Sequence, residues 1–67
     1  MTHAAMNLIT GEVLITNRAN HLKHNVARMS RWEKTHGFAS GRWVFAHGAE
    51  WREILGAKYH AYAESLS

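Results

Sequence analysis

Cysteine, proline and aspartate are all absent from this chain of 67 residues. The lack of cysteine excludes disulfides, thiolate zinc sites, iron–sulfur clusters and cysteine nucleophiles, and it is typical of proteins of the reducing cytosol. Catalytic groups would have to come from serines, histidines and glutamates, which show no recognisable spacing, and there is no glycine-rich phosphate loop. The sequence therefore predicts a protein that is not an enzyme and that carries no cofactor.

Long apolar runs are absent as well. No segment approaches the roughly 20 apolar residues that cross a bilayer, and the opening residues MTHAAMN have neither the basic region nor the apolar segment of a secretion signal. We therefore expect a soluble, cytoplasmic protein that does not associate with membranes. Met1 and Met6 are both candidate translation starts, and the sequence does not choose between them.

The composition is that of a folding chain, with 46% apolar residues and three tryptophans, two tyrosines and two phenylalanines. The length predicts one small domain over residues 1–67, with residues 1–5 as a flexible end. One core of this size usually contributes only about 3 to 5 kcal/mol, and a second subunit is one way in which such domains gain stability. A homodimer is therefore one of the assemblies to be considered.

The first half of the chain predicts a hairpin followed by a helix. Residues 7–16, NLITGEVLIT, join two β-branched runs across Thr10 and Gly11, which places Gly11 in a hairpin turn. A helix then begins after an N-cap at Thr16 or Asn17 and runs to about residue 36, where Gly37 is suited to end it. Its apolar positions recur at spacings of three and four: Ala19, Leu22, Val26, Met29 and, less regularly, Trp32.

The second half predicts a strand and another helix. Residues 41–48, GRWVFAHG, favour a strand with Trp43 and Phe45 on one face and Val44 on the other, and a short helix is the alternative. From residue 49 a second helix is expected, which Gly56 either weakens or opens to a close neighbour. Its predicted apolar stripe contains Trp51, Leu55, Tyr59, Tyr62 and Leu66. The fold class is α+β, a small ββαβα domain in which a three-stranded antiparallel sheet carries both helices on one face.

The positive charge of the chain is concentrated in its middle. The formal net charge is +3, but residues 17–47 contain six lysines and arginines and one acid, Glu33, a local charge of +5. Arg18 also lies near the positive end of the helix dipole, which is unfavourable by roughly 0.3 to 1 kcal/mol. An anionic partner is expected to compensate.

The residue types on the first helix favour nucleic acid as that partner. Lysines and arginines release counterions from a phosphate backbone. In the major groove, arginine pairs with guanine edges and asparagine pairs with adenine edges. We therefore predict a DNA-binding module that regulates transcription. Its predicted contact residues are Arg18, His21, His24, Asn25, Arg28, Arg31, Lys34 and Arg42.

Two other interpretations stay open. A basic helix face without acids is also common as a plain solvated surface. The chain could also be a protein-binding regulator, because its size is that of phage- or plasmid-type accessory proteins. Such proteins bind a host complex, such as RNA polymerase or a defence complex, and inhibit or modulate it. For such a protein partner, Trp32 and Trp43 are the predicted contact aromatics, because each lies next to an arginine and three tryptophans are many for one small core.

Six histidines also raise the question of a metal. His21 and His24 lie one helical turn apart, close enough to share an ion, but two ligands do not complete a tetrahedral zinc site. No spacing requires His36, His47 or His3 to join them. We therefore predict no metal site.

Overall fold

The computed structural model describes residues 1–37 and 42–67. In chain order it contains strand β1 (His3–Asn7), strand β2 (Val13–Thr16), helix α1 (Ala19–Thr35), strand β3 (Trp43–His47) and helix α2 (Trp51–Ser65). The predicted α+β class and ββαβα order are confirmed. Gly41, the predicted beginning of the third strand segment, lies outside the described residues.

The sheet has the order β2-β1-β3, with both neighbours antiparallel to β1. The central strand therefore includes residues 3–5, which the sequence analysis treated as a flexible end. Ala4 and Ala5 are both completely buried. The first strand of the hairpin thus ends at Asn7, earlier than the apolar run over residues 7–9 predicts.

The side chain of Asn7 explains why the strand ends there. Its Oδ1 accepts hydrogen bonds from the backbone N–H groups of Ile9 (2.9 Å) and Thr10 (3.2 Å). Such a local bond turns the chain away from the extended conformation. Gly11 follows with φ of 80°, so its predicted place in the turn is confirmed.

The two helices cover opposite faces of the sheet, and the prediction that they share one face is wrong. Side chains alternate along a strand, so Ala4 and Ala5 point in opposite directions. Ala4 packs with Leu55 of α2. Asn7, on the same side as Ala5, bonds to Glu33 of α1. The physical reason is that β1 carries small, buried residues on both sides, and each side needs a cover.

Helix α1 begins and ends slightly inside the predicted range. Its N-cap is Arg18, whose side chain makes no capping bond. The hydroxyl of Thr16, one of the two predicted caps, instead accepts a hydrogen bond from the Arg18 N–H at 3.2 Å. At the other end Gly37 has φ of 76°, so the predicted glycine stop is confirmed.

Helix α2 buries only the first half of its predicted apolar stripe. Leu55 is buried and Trp51 and Ile54 pack partly against the same cluster, whereas Tyr59 and Leu66 are exposed. Fifteen helical residues extend about 22 Å, while a five-residue strand extends only about 17 Å, so the end of α2 projects past the sheet. Within the described residues, neither helix combines the length and the apolar content needed to cross a membrane.

Replacing Gly37 with alanine is expected to lower the unfolding free energy by about 1 to 2 kcal/mol, because an L-residue is strained at positive φ. Among the described residues, no atom beyond the chain neighbours of Gly37 lies within 4 Å of an added Cβ, so the cost is conformational rather than steric. Gly56→Ala is the matched control. In the part of the chain that the structure describes, a Cβ at Gly56 also has no atom within 4 Å beyond its own helix backbone. No close neighbour there explains this glycine, and the change to alanine should stabilise α2 by about 1 kcal/mol. Urea unfolding of both variants measures the two changes in unfolding free energy, which should have opposite signs. Changes of the same sign would contradict the conformational explanation.

Candidate nucleic-acid interface

The only acid of α1 is turned into the protein. Glu33 is 3% exposed, and the buried Asn7 Nδ2 donates to both of its carboxylate oxygens at 3.1 and 3.3 Å. Since Asn7 belongs to the central strand, the bond ties α1 to the sheet. As a result, no carboxylate lies on the solvent side of α1.

The outward side of α1 carries cations, histidines and polar groups. Its exposed basic and histidine residues, together with those of the N-cap, are Arg18, His21, Lys23, His24, Arg28, Arg31 and Lys34. At 3.6 residues per turn, the spacing of His21, His24, Arg28 and Arg31 makes one ridge opposite the buried Leu22. We call these four residues the basic ridge. The basic ridge places two arginines and two histidines on the exposed side of α1.

The structure brings Arg28 and Arg31 together but separates Arg18 from them. Arg28 and Arg31 are one turn apart, whereas Arg18 lies before the helix, about 15 Å from Arg28 along the axis. Within the described residues, neither Arg18 nor Arg31 forms a side-chain ion pair, and the one close contact between a basic and an acidic side chain joins His60 Nε2 to Glu64 at 2.9 Å in α2. The glutamates of the last helix therefore leave these charges unneutralised.

Asn25 is less available than the sequence suggests. It is half-buried, and its Oδ1 accepts a hydrogen bond of 2.7 Å from Nη2 of Arg28. The bond orients the Arg28 guanidinium, while it occupies the amide oxygen that adenine recognition would need. Asn25 is thus a support for Arg28 in this structure.

Arg42 lies apart from α1. It immediately precedes β3, and its carbonyl accepts a hydrogen bond from the Leu8 N–H at 2.9 Å. The alternation of β3 places Arg42 on the side of Val44, the face that α2 covers. Arg42 is exposed, but it does not extend the basic ridge.

The two predicted contact aromatics differ in exposure. Trp32 is 48% exposed, and its ring stacks on His36 with centroids 4.2 Å apart. Trp43 is only half-buried, but its Nε1 is buried and has no hydrogen-bond partner among the described residues. Trp32 is therefore the aromatic that a partner can reach, and Trp43 presents less surface.

A groove of about 760 Å³, which the sequence pattern does not predict, separates α1 from the hairpin. Its walls include Glu12, Leu14, Asn25, Arg28, Met29 and Trp32. One wall comes from the hairpin and the other from α1. The two walls face each other because α1 packs on β2, which the sequence pattern of neither segment indicates. The groove lies directly beside the basic ridge, since Arg28 belongs to both.

The histidines form no metal centre in the described residues, where no group of three or more potential ligands converges. His3 and His47 do approach each other across β1 and β3, with their Nδ1 atoms 2.7 Å apart. One ring must donate and the other accept in this bond. His21 and His24 are exposed on the basic ridge, remote from this pair.

Comparisons with known proteins identify no relative of this chain. No protein-family model, curated protein or solved structure matches this chain.

Proposed function

We propose that this protein is a small, non-enzymatic DNA-binding module that acts in the regulation of transcription and docks through the outward side of α1. The observation that supports the proposal best is the burial of Glu33 against Asn7. Because the sole acid of α1 is turned inward, the solvent side of the helix has cations at Arg28, Arg31 and Lys34 and no carboxylate of its own. A polyanion supplies the missing negative charge.

The dimensions of α1 suit duplex DNA. Seventeen residues give a helix about 25 Å long, and the major groove, about 12 Å wide, admits one α-helix. In that position the basic ridge meets the groove floor and Lys34 meets a flanking phosphate. Arg28 reaches the DNA already oriented by Asn25, which reduces the conformational entropy lost on binding.

The test is a fluorescence-anisotropy titration of the full chain against random-sequence duplex DNA at several salt concentrations. Affinity should fall steeply with salt, with a log–log slope of about −0.9 for each neutralised phosphate. Arg31→Ala should weaken binding to all sequences alike and make the slope shallower by about one. Arg52→Ala is the matched control, because Arg52 lies on α2, across the sheet, where it stacks over Trp51 at 5.0 Å.

A protein partner is the second candidate, and the half-exposed Trp32 beside the groove favours it. Exposed aromatics next to an apolar groove are typical anchors of protein interfaces. For a protein partner, Trp32→Ala should cost more than about 2 kcal/mol with little salt dependence. No binding of DNA at low salt by micromolar protein would contradict the DNA proposal and leave the accessory-protein interpretation. Equal losses for Arg31→Ala and Arg52→Ala would contradict the assignment of α1 as the contact helix.

A further inference from the structure

The outer edge of β2 is open. Asn7 N–H bonds to the Glu12 carbonyl at 2.9 Å, and the register pairs Ala5 with Leu14. In an antiparallel pair, alternate residues direct their backbone groups toward the partner strand. Those of Leu14 therefore face β1, and those of Val13 and Ile15 face outward. Within the described residues these outward groups have no hydrogen-bond partner.

The two edges of the sheet differ in protection. At β3, Lys58 of α2 reaches the outer edge and donates a hydrogen bond of 2.7 Å to the Phe45 carbonyl. A lysine at an edge is a common block against pairing with another strand. At β2, the sequence VLIT contains neither a charge nor a proline. Of the two sheet edges formed by the described residues, the β2 edge is therefore the one that lacks such a block.

The same strand exposes apolar side chains. Val13 is 39% and Ile15 is 55% exposed. Both pair with β1 residues of the α2 face, Met6 and Ala4, but α2 packs mainly over β1 and β3 and leaves the two β2 side chains exposed. Unsatisfied backbone groups and uncovered apolar side chains thus coincide on one short strand. That combination marks a strand-pairing surface.

We propose that β2 pairs antiparallel with β2 of a second copy of this chain, about a two-fold axis through Leu14, to give a continuous six-stranded sheet. In this register Val13 lies opposite Ile15 of the second copy, and the converse pair forms by symmetry. Every outward backbone group of the two residues then finds a partner, as an isologous interface requires. Val13 and Ile15 also cover each other's side chains across the new strand pair.

Charge complementarity favours a second copy over an unrelated strand. The register places Glu12 opposite Thr16 of the second copy. Glu12 pairs with Asn7 and so projects on the α1 side of the sheet. There it approaches the N-terminus of the other α1, which has Arg18 at its cap, no capping side chain and no acid in its first turn. Each copy thus supplies the carboxylate that the other helix lacks.

The first test is the concentration dependence of mass and of amide exchange in the full chain. Sedimentation equilibrium should show the mass rising from 7.6 kDa toward twice that value between micromolar and millimolar protein. Hydrogen exchange should show the Val13 and Ile15 amides gaining protection over the same range, while the Leu14 amide stays protected throughout. A constant monomer mass, or a dimer in which Val13 and Ile15 exchange freely, would overturn the proposal.

Substitutions at the edge provide the second test. Ile15→Lys should raise the dimer dissociation constant about tenfold or more, because it places a charge on the pairing strand. Ile15→Pro should do the same by removing an outward N–H that β1 does not use. Ile9→Lys is the matched control, since Ile9 is 48% exposed but lies in the turn rather than on the strand.

The outcomes separate this proposal from DNA binding. Loss of the dimer in Ile15→Lys, with the Leu14 amide still protected and the circular dichroism unchanged, supports the β2 pairing. A dimer that persists in Ile15→Lys, or that is lost equally in Ile9→Lys, places the interface elsewhere. Neither result depends on whether Arg31 binds DNA, because mass and exchange are measured without nucleic acid.

Discussion

Replacing Asn7 with alanine is expected to lower the unfolding free energy by about 3 kcal/mol or more. The change removes hydrogen bonds to a buried carboxylate, worth roughly 1.5 to 3 kcal/mol, and leaves two turn amides without their acceptor. It also leaves Glu33 buried with less compensation for its lost hydration. Since one core of this size contributes only about 3 to 5 kcal/mol, the variant should be largely unfolded in dilute buffer.

A charge-exchange pair makes the same test more specific. Asn7→Asp keeps the Oδ1 acceptor for Ile9 and Thr10 but sets a second carboxylate against Glu33, so it should destabilise strongly by repulsion. Adding Glu33→Gln returns one amide and one carboxylate to the site with their positions exchanged, and most of the lost stability should return. The matched control for Asn7→Ala is Asn20→Ala, because Asn20 is exposed on α1.

Urea unfolding followed by circular dichroism measures these four variants together with Glu33→Gln alone, which closes the double-mutant cycle. The coupling free energy between positions 7 and 33 should be large and favourable in the double-mutant cycle. Two results would show that the buried bond does not hold α1 to the sheet. One is an equal free energy of unfolding for Asn7→Ala and Asn20→Ala. The other is a free energy of unfolding of Asn7→Asp that does not change when Glu33→Gln is added. In that case no interaction would fix Glu33 in its inward orientation, and its carboxylate could reach the solvent side of α1.

The sequence predicts part of the placement of Glu33, namely the face of α1 on which it lies. Glu33 continues the three-and-four spacing of Leu22, Val26 and Met29, so it falls on the buried stripe, while Trp32 falls about 100° away. The apolar pattern favours Trp32 as the last residue of the stripe, because an apolar residue is more usual than a glutamate on a buried face. What could not be predicted is the partner, since the bond to Asn7 depends on how α1 docks on a distant strand.

The central strand shows a different limit of prediction. The segment HAAMN has no β-branched or aromatic residue, so its local propensity does not indicate a strand. Its small side chains become informative only when both faces are packed, Ala4 against α2 and Ala5 on the α1 side. The opposite placement of the helices follows from this strand. The existence of strand β3 within residues 41–48 and the glycine stop of α1 depend on local chemistry, and the sequence predicts both.

The division of the core between two faces leads to the second large effect. The largest fully buried side chains are Leu22, Leu55 and Asn7. Leu22 comes from α1 and Leu55 from α2, so each leucine anchors a different helix. Leu22→Ala and Leu55→Ala are each expected to cost about 2 to 5 kcal/mol, a loss comparable with the whole stability of the domain. Leu66→Ala, at an exposed position in the same chain, is the control and should have little effect.

Although the two leucines lie on opposite faces, either loss should unfold the domain in one transition. Strand β1 is paired with both neighbours and packs against both helices, so neither half keeps its cover when β1 is released. In Leu55→Ala, the amides of β1 and α1 should therefore lose exchange protection together with those of α2. Protection that persisted in α1 and the hairpin while α2 exchanged freely would mean that the two faces unfold separately. The hairpin and α1, which carry the basic ridge and the open β2 edge, would then form the stable unit.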